Sequence, residues 1–261
     1  MVLNFFKVRE KNMNNVNIGI QLYSVYHEIE KYGIDEVFRA LSEAGCNTVE
    51  FAGFYGLSPK EMREKLEKYS LRPLAAHIRM DAIEDSLAYI DELGISMVYL
   101  PSYRYEDLID AAGFSEFINK VRKVMPMLEK RGVRFGYHNH AKELLGADLL
   151  SAMANAAPGF SLELDIYWAK AAGHEPCELI RKLGKKLTAL HIKDMDKRAD
   201  PKAPTEFPNA IIGEGVCNTK DSFIAARKLG VDTFILEVEG YPCEYTEYIK
   251  KSIENINSYL N

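Results

Sequence analysis

The sequence predicts an α/β protein, a closed (β/α)8 TIM barrel of eight parallel strands. Three observations predict it. The chain has 261 residues, and such a barrel typically takes about 250. From Asn17 to the C-terminus, short apolar runs alternate with helix-patterned stretches eight times; that alternation builds a parallel sheet, and eight units close it. Four of the six histidines (His77, His138, His140 and His191) stand at or near the ends of the apolar runs, which is the face where barrel chemistry sits. An open doubly wound sheet is the alternative, but no GxGxxG follows the first run and no Walker-type loop occurs.

The elements follow in order. Asn17 to Leu22 is the first strand, running out into Tyr23 and Ser24. Residues 35–44 carry Val37, Phe38 and Leu41 at helical spacing and stop at Gly45. Thr48 to Phe51 is the second strand; Ser58-Pro59 with Glu61 reads as a capping box that opens the next helix. Leu71 to His77 is the third strand, 81–93 an amphipathic helix ended by Gly94, and Ile95 to Leu100 the fourth strand, closed by Pro101. Helix 114–131 ends at Gly132, and Val133 to Tyr137 is the fifth strand. Helix 148–157 stops at Pro158-Gly159 before the sixth strand, Phe160 to Leu164; helix 176–183 stops at Gly184 before the seventh, Leu187 to Ile192. Helix 219–229, the eighth strand 233–238 and helix 245–259 complete the chain. Residues 1–16 are expected to form an N-terminal tail, with Met13 as a second candidate start, and 17–261 a single barrel domain. The long connection 193–218, carrying Pro201, Pro204 and Pro208, is expected to be a mobile lid.

Composition narrows the class. Apolar residues make up 47% of the chain, enough for a sizeable core, and the net charge of −5 argues against a phosphate-backbone binder. Cys46, Cys177, Cys217 and Cys243 are scattered with no CxxC pair, as in a reduced cytoplasmic protein. The N-terminal apolar run is too short for a signal peptide, and no run approaches the ~20 apolar residues needed to cross a bilayer. The expected partner is therefore a small molecule, without nucleic acid or membrane; a homo-oligomer stays open.

The ends of the strands supply Gln21, Glu50, His77, His138, His140, Glu143, Asp165, His191 and Glu237. Glu143, Asp165, His191 and Glu237 come from four successive units, so in a barrel they converge. Gathered carboxylates repel one another unless a cation neutralises them. One imidazole with three carboxylates suits one divalent metal ion: Mn2+, Zn2+, Co2+ or Mg2+. His77 also fits a hydrogen-bonded core histidine, Glu50 a buried paired carboxylate, Trp168 either a core aromatic or a platform for a sugar ring, and Lys193 a surface ion pair with Asp194. His27, His174 and the cysteines have structural readings.

At these residues the chain resembles the sugar phosphate isomerase/epimerase family with its xylose isomerase-like barrel. The matching pieces are Gly19-Ile20-Gln21-Leu22-Tyr23-Ser24, Val49-Glu50-Phe51-Ala52-Gly53, Tyr137-His138-Asn139-His140-Ala141-Lys142-Glu143, Leu164-Asp165-Ile166-Tyr167-Trp168, His191-Ile192-Lys193-Asp194-Met195, Gly213-Glu214-Gly215-Val216 and Leu236-Glu237-Val238-Glu239. The resemblance implies a metal held by a Glu, an Asp, a His and a second Glu. Asp165, His191 and Glu237 match directly; the first ligand is expected to be Glu143, with His138 as the alternative. The implied reaction is isomerisation or epimerisation of a sugar or keto-sugar, by removal of the proton next to a carbonyl through a metal-stabilised enediolate. Glu143 and Glu237 are the first catalytic candidates, followed by His138, His140 and Lys193. Gln21, Glu50, His77 and Trp168 are expected to bind substrate hydroxyls. With no glycine-rich phosphate cradle, a non-phosphorylated substrate is favoured. The alternatives are a keto-sugar lyase or dehydratase on the same site, a phosphodiesterase like endonuclease IV, which needs more metal ligands and a basic surface, and a sugar binder without turnover.

Overall fold

The computed structural model describes residues 16–198 and 208–260. Its strands are β1 (Asn17–Gln21), β2 (Thr48–Phe51), β3 (Arg72–His77), β4 (Met97–Leu100), β5 (Arg134–His138), β6 (Ser161–Asp165), β7 (Leu187–Ile192), β8 (Asp194–Met195), β9 (Asn209–Ala210) and β10 (Thr233–Leu236). Eight of them close a barrel in the order β1-β10-β7-β6-β5-β4-β3-β2, and every barrel pairing is parallel. The expected (β/α)8 TIM barrel is the observed fold. The tail expected at 1–16 lies, apart from Val16, outside the described residues. Among the described residues no helix is long and apolar enough to cross a membrane.

Successive side chains on a strand face opposite ways, and each barrel strand uses this to separate two environments. Leu162 and Leu164 of β6, Leu190 and Ile192 of β7, and Phe234 and Leu236 of β10 join the apolar layer under the helices; each such large side chain, fully buried, contributes about 1.5–3 kcal/mol. The interior divides again. Ala75, Met97, Tyr99 and Ala189 form a small apolar plug of their own, with the Tyr99 hydroxyl 2.8 Å from Thr188 Oγ1. Gly136 sits opposite Tyr99 in register, and a Cβ there would stand 2.8 Å from the Tyr99 ring and 2.5 Å from Ser161 Oγ. Above the plug, toward the C-terminal ends of the strands, the interior is polar and ionisable. Register shifts occur at Val49/Glu50 and at Leu162/Glu163. Irregularities of this kind re-aim side chains, and these two fall beside the carboxylates that meet at the centre.

The helices depart from expectation in places. Ser58 and Glu61 form the expected capping box, with Pro59 first in the helix Pro59–Lys68. The helix expected over 81–93 begins only at Leu87. Asp81, Glu84 and Asp85 crowd like charge into its first turns, and Ser86 Oγ donates to the Ala82 carbonyl at 2.8 Å, which favours a turn. The helix expected from 114 begins at Ala111, because the Asp110 carboxylate accepts from Gly113 N at 2.8 Å. Short helices at Tyr26–Tyr32, Tyr105–Ile109 and Ile166–Ala171 were not expected.

The connection 193–218 is anchored at both ends. β8 and β9 pair antiparallel, Asp194 opposite Ala210 and Met195 opposite Asn209. The buried Asp194 carboxylate accepts from Gly213 N (2.9 Å) and Gly215 N (3.0 Å) on one oxygen, and from Cys217 N and Met195 N (both 3.0 Å) on the other. Pro201 and Pro204, at the centre of the expected lid, lie outside the described residues. Asp194→Ala leaves several buried amides without acceptors, each worth about 1–3 kcal/mol. It is expected to lower stability by about 3 kcal/mol in urea denaturation; a loss under about 1 kcal/mol would show that the carboxylate does not pin the loop.

Candidate functional site

Four side chains from four strand ends meet above the plug. His138 closes β5, Asp165 closes β6, His191 is the penultimate residue of β7, and Glu237 follows β10. Each offers one donor atom, and these atoms all lie within 4.8 Å of one another. All four residues are buried. Asp165 Oδ1 caps the helix Ile166–Ala171, accepting from Tyr167 N at 2.8 Å and Trp168 N at 3.0 Å. Its other oxygen is buried without a partner. Burial pushes the Asp165 carboxyl up to about 7, with the Lys193 cation pulling down and the Glu237 charge pushing up. Burial, joined by the charge of His191, depresses His138 to about 3, so its imidazole is neutral and able to donate a lone pair. Burial also works against charge on Glu237, but His191 and Lys193 outweigh it and hold the carboxyl well below the usual range.

A second group, of His77, His138, Glu163 and His191, shares His138 and His191 with the first. His191 joins the two: Nδ1 is 3.1 Å from Glu237 Oε2, and Nε2 is 2.7 Å from Glu50 Oε2 and 3.2 Å from Glu163 Oε2. The same Glu163 oxygen is 2.8 Å from His77 Nε2 and 3.3 Å from His138 Nδ1. Gln21 Nε2 donates to Glu50 Oε2 at 2.9 Å. Burial opposes charge on His191, yet Glu163, Glu237 and Glu50 together raise it well above an ordinary histidine. Carboxylates behind imidazoles in this way fix ring orientation and tautomer in metal sites.

A divalent ion fits the first group. Two imidazoles and two carboxylates are a borderline-hard donor set. The unpartnered Asp165 Oδ2 is a buried acceptor that a cation would satisfy, His138 Nδ1 is also buried without a hydrogen-bond partner, and Glu50 and Glu237 hold the His191 ring in place.

The site residues read from the sequence fall into three groups. His77, His138, His140 and Glu237 line a pocket of about 390 Å3 at the C-terminal mouth of the barrel, with Tyr23, Ala52, Pro101, Ser102 and Glu239. Asp165 and His191 lie under its floor. Glu143 does not join the metal-competent group: its two oxygens accept from the Tyr137 hydroxyl and from His140 N, both at 2.9 Å. Glu143 lies in the short 3-10 turn Ala141–Leu144, and His138, the alternative, is the residue from β5 in the metal-competent group. Gln21 and Glu50 are fully buried and absent from the pocket wall where substrate hydroxyls were expected to meet them; Gln21 is hydrogen-bonded to Glu50, and Glu50 to His191. Trp168 is also absent from the pocket wall; its ring faces Lys193 at 4.9 Å and His140 at 5.6 Å. Lys193, read as either catalytic or a surface pair with Asp194, is completely buried. Its ammonium lies over Tyr167 at 4.6 Å and 2.9 Å from Glu239, at an angle poor for a hydrogen bond. Sequence reasoning missed Glu163; strand alternation places it on the same face as Asp165, and that was the available signal.

A sugar phosphate isomerase/epimerase from Parabacteroides distasonis ATCC 8503 superposes with TM-score 0.75 at 22% identity, covering 97% of this chain and 98% of that one. D-allulose 3-epimerase from Methylomonas sp. gives 0.73 at 12%, covering 94% and 98%. The probable 3-DHS dehydratase AsbF from Bacillus anthracis gives 0.74 at 11%, covering 92% and 98%. At these identities the likeness is one of fold. No curated protein matches the sequence. The family model described as xylose isomerase-like TIM barrel matches residues 28–259, nearly the whole barrel with its metal-competent mouth, and the chain belongs to that family.

Proposed function

We propose that this protein is a divalent-metal-dependent sugar or keto-sugar isomerase or epimerase that works by removing a proton next to a carbonyl. The observation that carries the reading is the convergence of His138, Asp165, His191 and Glu237 beneath an open pocket, with Asp165 Oδ2 buried and unpartnered. Those four residues would hold the ion. When bound, a divalent ion polarises a substrate carbonyl and its neighbouring hydroxyl as a Lewis acid.

The chain's own groups do the rest. Glu237 lines the pocket and is held ionised, so its carboxylate is the first candidate to take the proton. His140 lines the same pocket from the end of β5; in the barrel order, β7 and β6 stand between β5 and β10. The two groups therefore flank the pocket from different sides, as a base and a returning acid must. Burial pushes His140 down, so its imidazole rests neutral and returns a proton to the substrate only after taking one up from solvent. His77 lines the wall and would meet a substrate hydroxyl there. Glu50 and Glu163 orient the histidines and do not touch substrate. Lys193 places a fixed positive charge near Asp165 and Glu237.

The test is proton exchange with solvent. Candidate ketoses and keto-glycosides incubated in D2O are expected to gain deuterium at the carbon next to the carbonyl, followed by NMR. Chelation should abolish the exchange and added Mn2+ or Co2+ should restore it. Isomerase, epimerase and enolising lyase all share this step. Exchange that is indifferent to chelation would remove the metal from the reading, and metal-dependent cleavage of an abasic-site DNA duplex at enzyme-like rates would replace the reaction class.

A further inference from the structure

A second cavity, of about 660 Å3, opens beside the first, and Ser102 lines both. Its size is ordinary for a small-ligand site, which runs from about 300 to 1,000 Å3. Its walls come from the turn after β3 (Arg79, Met80, Asp81), the turn after β4 (Tyr103, Arg104) and Lys120 of the helix Ala111–Glu129. Three cations suggest a phosphate site at first sight, but each already has a carboxylate. Arg79 donates twice to Asp81, at 3.1 and 2.7 Å; Arg104 lies 2.5 Å from Asp107; Lys120 lies 2.6 Å from Glu116. An anionic ligand would have to compete with all three. What remains is a wall of mixed character: the Tyr103 ring, the Met80 thioether, guanidinium N–H groups and the Asp81 carboxylate. That combination matches a neutral polyhydroxy ring, whose hydroxyls both donate and accept and whose C–H face packs on an aromatic ring. The wall is held in place. Tyr103 N donates to the Tyr137 hydroxyl at 3.1 Å, that hydroxyl donates to Glu143 at 2.9 Å, and the Tyr103 ring packs on Phe117 at 4.7 Å. The buried Glu143 thus helps to hold Tyr103 at the wall of the second cavity.

We propose that the second cavity is a subsite for another sugar ring and that the substrate is a glycoside or disaccharide. The reacting ring lies over His138 and Glu237, and the neutral second ring lies against Tyr103 and Arg104. This rests on the proposed function, because it takes the first pocket as the reacting subsite.

The experiment is a calorimetric binding panel on the metal-loaded protein: D-glucose, D-fructose, methyl glucosides, cellobiose, maltose, lactose, trehalose, sucrose and glucose 6-phosphate. At least one disaccharide is expected to bind about tenfold more tightly than its component monosaccharides. Tyr103→Ala and the exposed Arg104→Ala should each erase most of that advantage while monosaccharide affinity stays within about twofold. Arg104→Ala removes no buried group, so an unchanged melting curve is expected for it. Three results overturn the subsite: no disaccharide advantage, tightest binding of glucose 6-phosphate, or an advantage that survives both substitutions. Failure of every sugar to bind metal-loaded protein overturns the proposed function together with it, whereas monosaccharide binding without a disaccharide advantage overturns the subsite alone.

Discussion

Asp165→Asn is expected to abolish binding of the proposed divalent ion while leaving the barrel folded. The side chain has two separable jobs. One oxygen caps the helix Ile166–Ala171 through Tyr167 N and Trp168 N, and the Asn carbonyl can accept the same two bonds. The other oxygen is the unpartnered one aimed at the group, and Asn replaces it with an NH2 that cannot bind a cation. Loss of an outer-shell partner costs about 10–100-fold in metal affinity, so loss of a direct ligand is expected to exceed about 100-fold. Elemental analysis after gel filtration checks it, with a circular-dichroism melt to confirm the fold. The same assay separates the two β5 candidates. His138→Gln should lose the ion and Glu143→Gln should keep it, since Glu143 spends both oxygens on Tyr137 and His140. Full metal content in Asp165→Asn would refute the ligand set. The reverse pattern for the other two variants would return Glu143 to the first-ligand position.

The fold was legible because a parallel barrel repeats one signal eight times, and errors in single helices do not change the count. The convergence of Asp165 and His191 was legible for the same reason: each stands at or next to the end of an apolar run, and the run gives the direction. What the chain did not reveal is depth and side-chain aim. Gln21 and Glu50 also stand at or near strand ends, but the chain of hydrogen bonds from Gln21 to Glu50 and from Glu50 to His191 keeps them buried away from the pocket. Glu163 was hidden inside a strand whose neighbours Leu162 and Leu164 read as core; its inward aim accompanies a register shift that the sequence does not mark. His138 and Glu143 stand five residues apart, and spacing alone cannot decide which reaches the centre. The decision is made by the turn at Ala141–Leu144 and by the Tyr137 hydroxyl. In the connection 193–218, pairing of the two-residue strands β8 and β9 leaves no periodic signal, and the anchoring depends on four backbone amides that carry no side-chain code.

Glu237→Gln is expected to slow solvent exchange at the substrate's α-carbon by a factor on the order of 10²–10⁴, the usual worth of a positioned general base. Glu237 is the one carboxylate of the metal-competent group that also lines the pocket. Its Oε2 faces His191 Nδ1 at 3.1 Å, and a Gln carbonyl preserves the size and one acceptor there but cannot take up a proton. Because Glu237 belongs to the proposed ligand set, part of the loss would come from the ion. Measuring metal content in the same preparation and dividing the rate by occupancy separates the two contributions. His140→Gln supplies the counterpart. If Glu237 takes the proton and His140 returns one from the β5 side, exchange should survive in His140→Gln while net conversion falls. Should exchange instead vanish in His140→Gln and persist per bound ion in Glu237→Gln, the roles are reversed: the imidazole is the base, and Glu237 serves the metal alone.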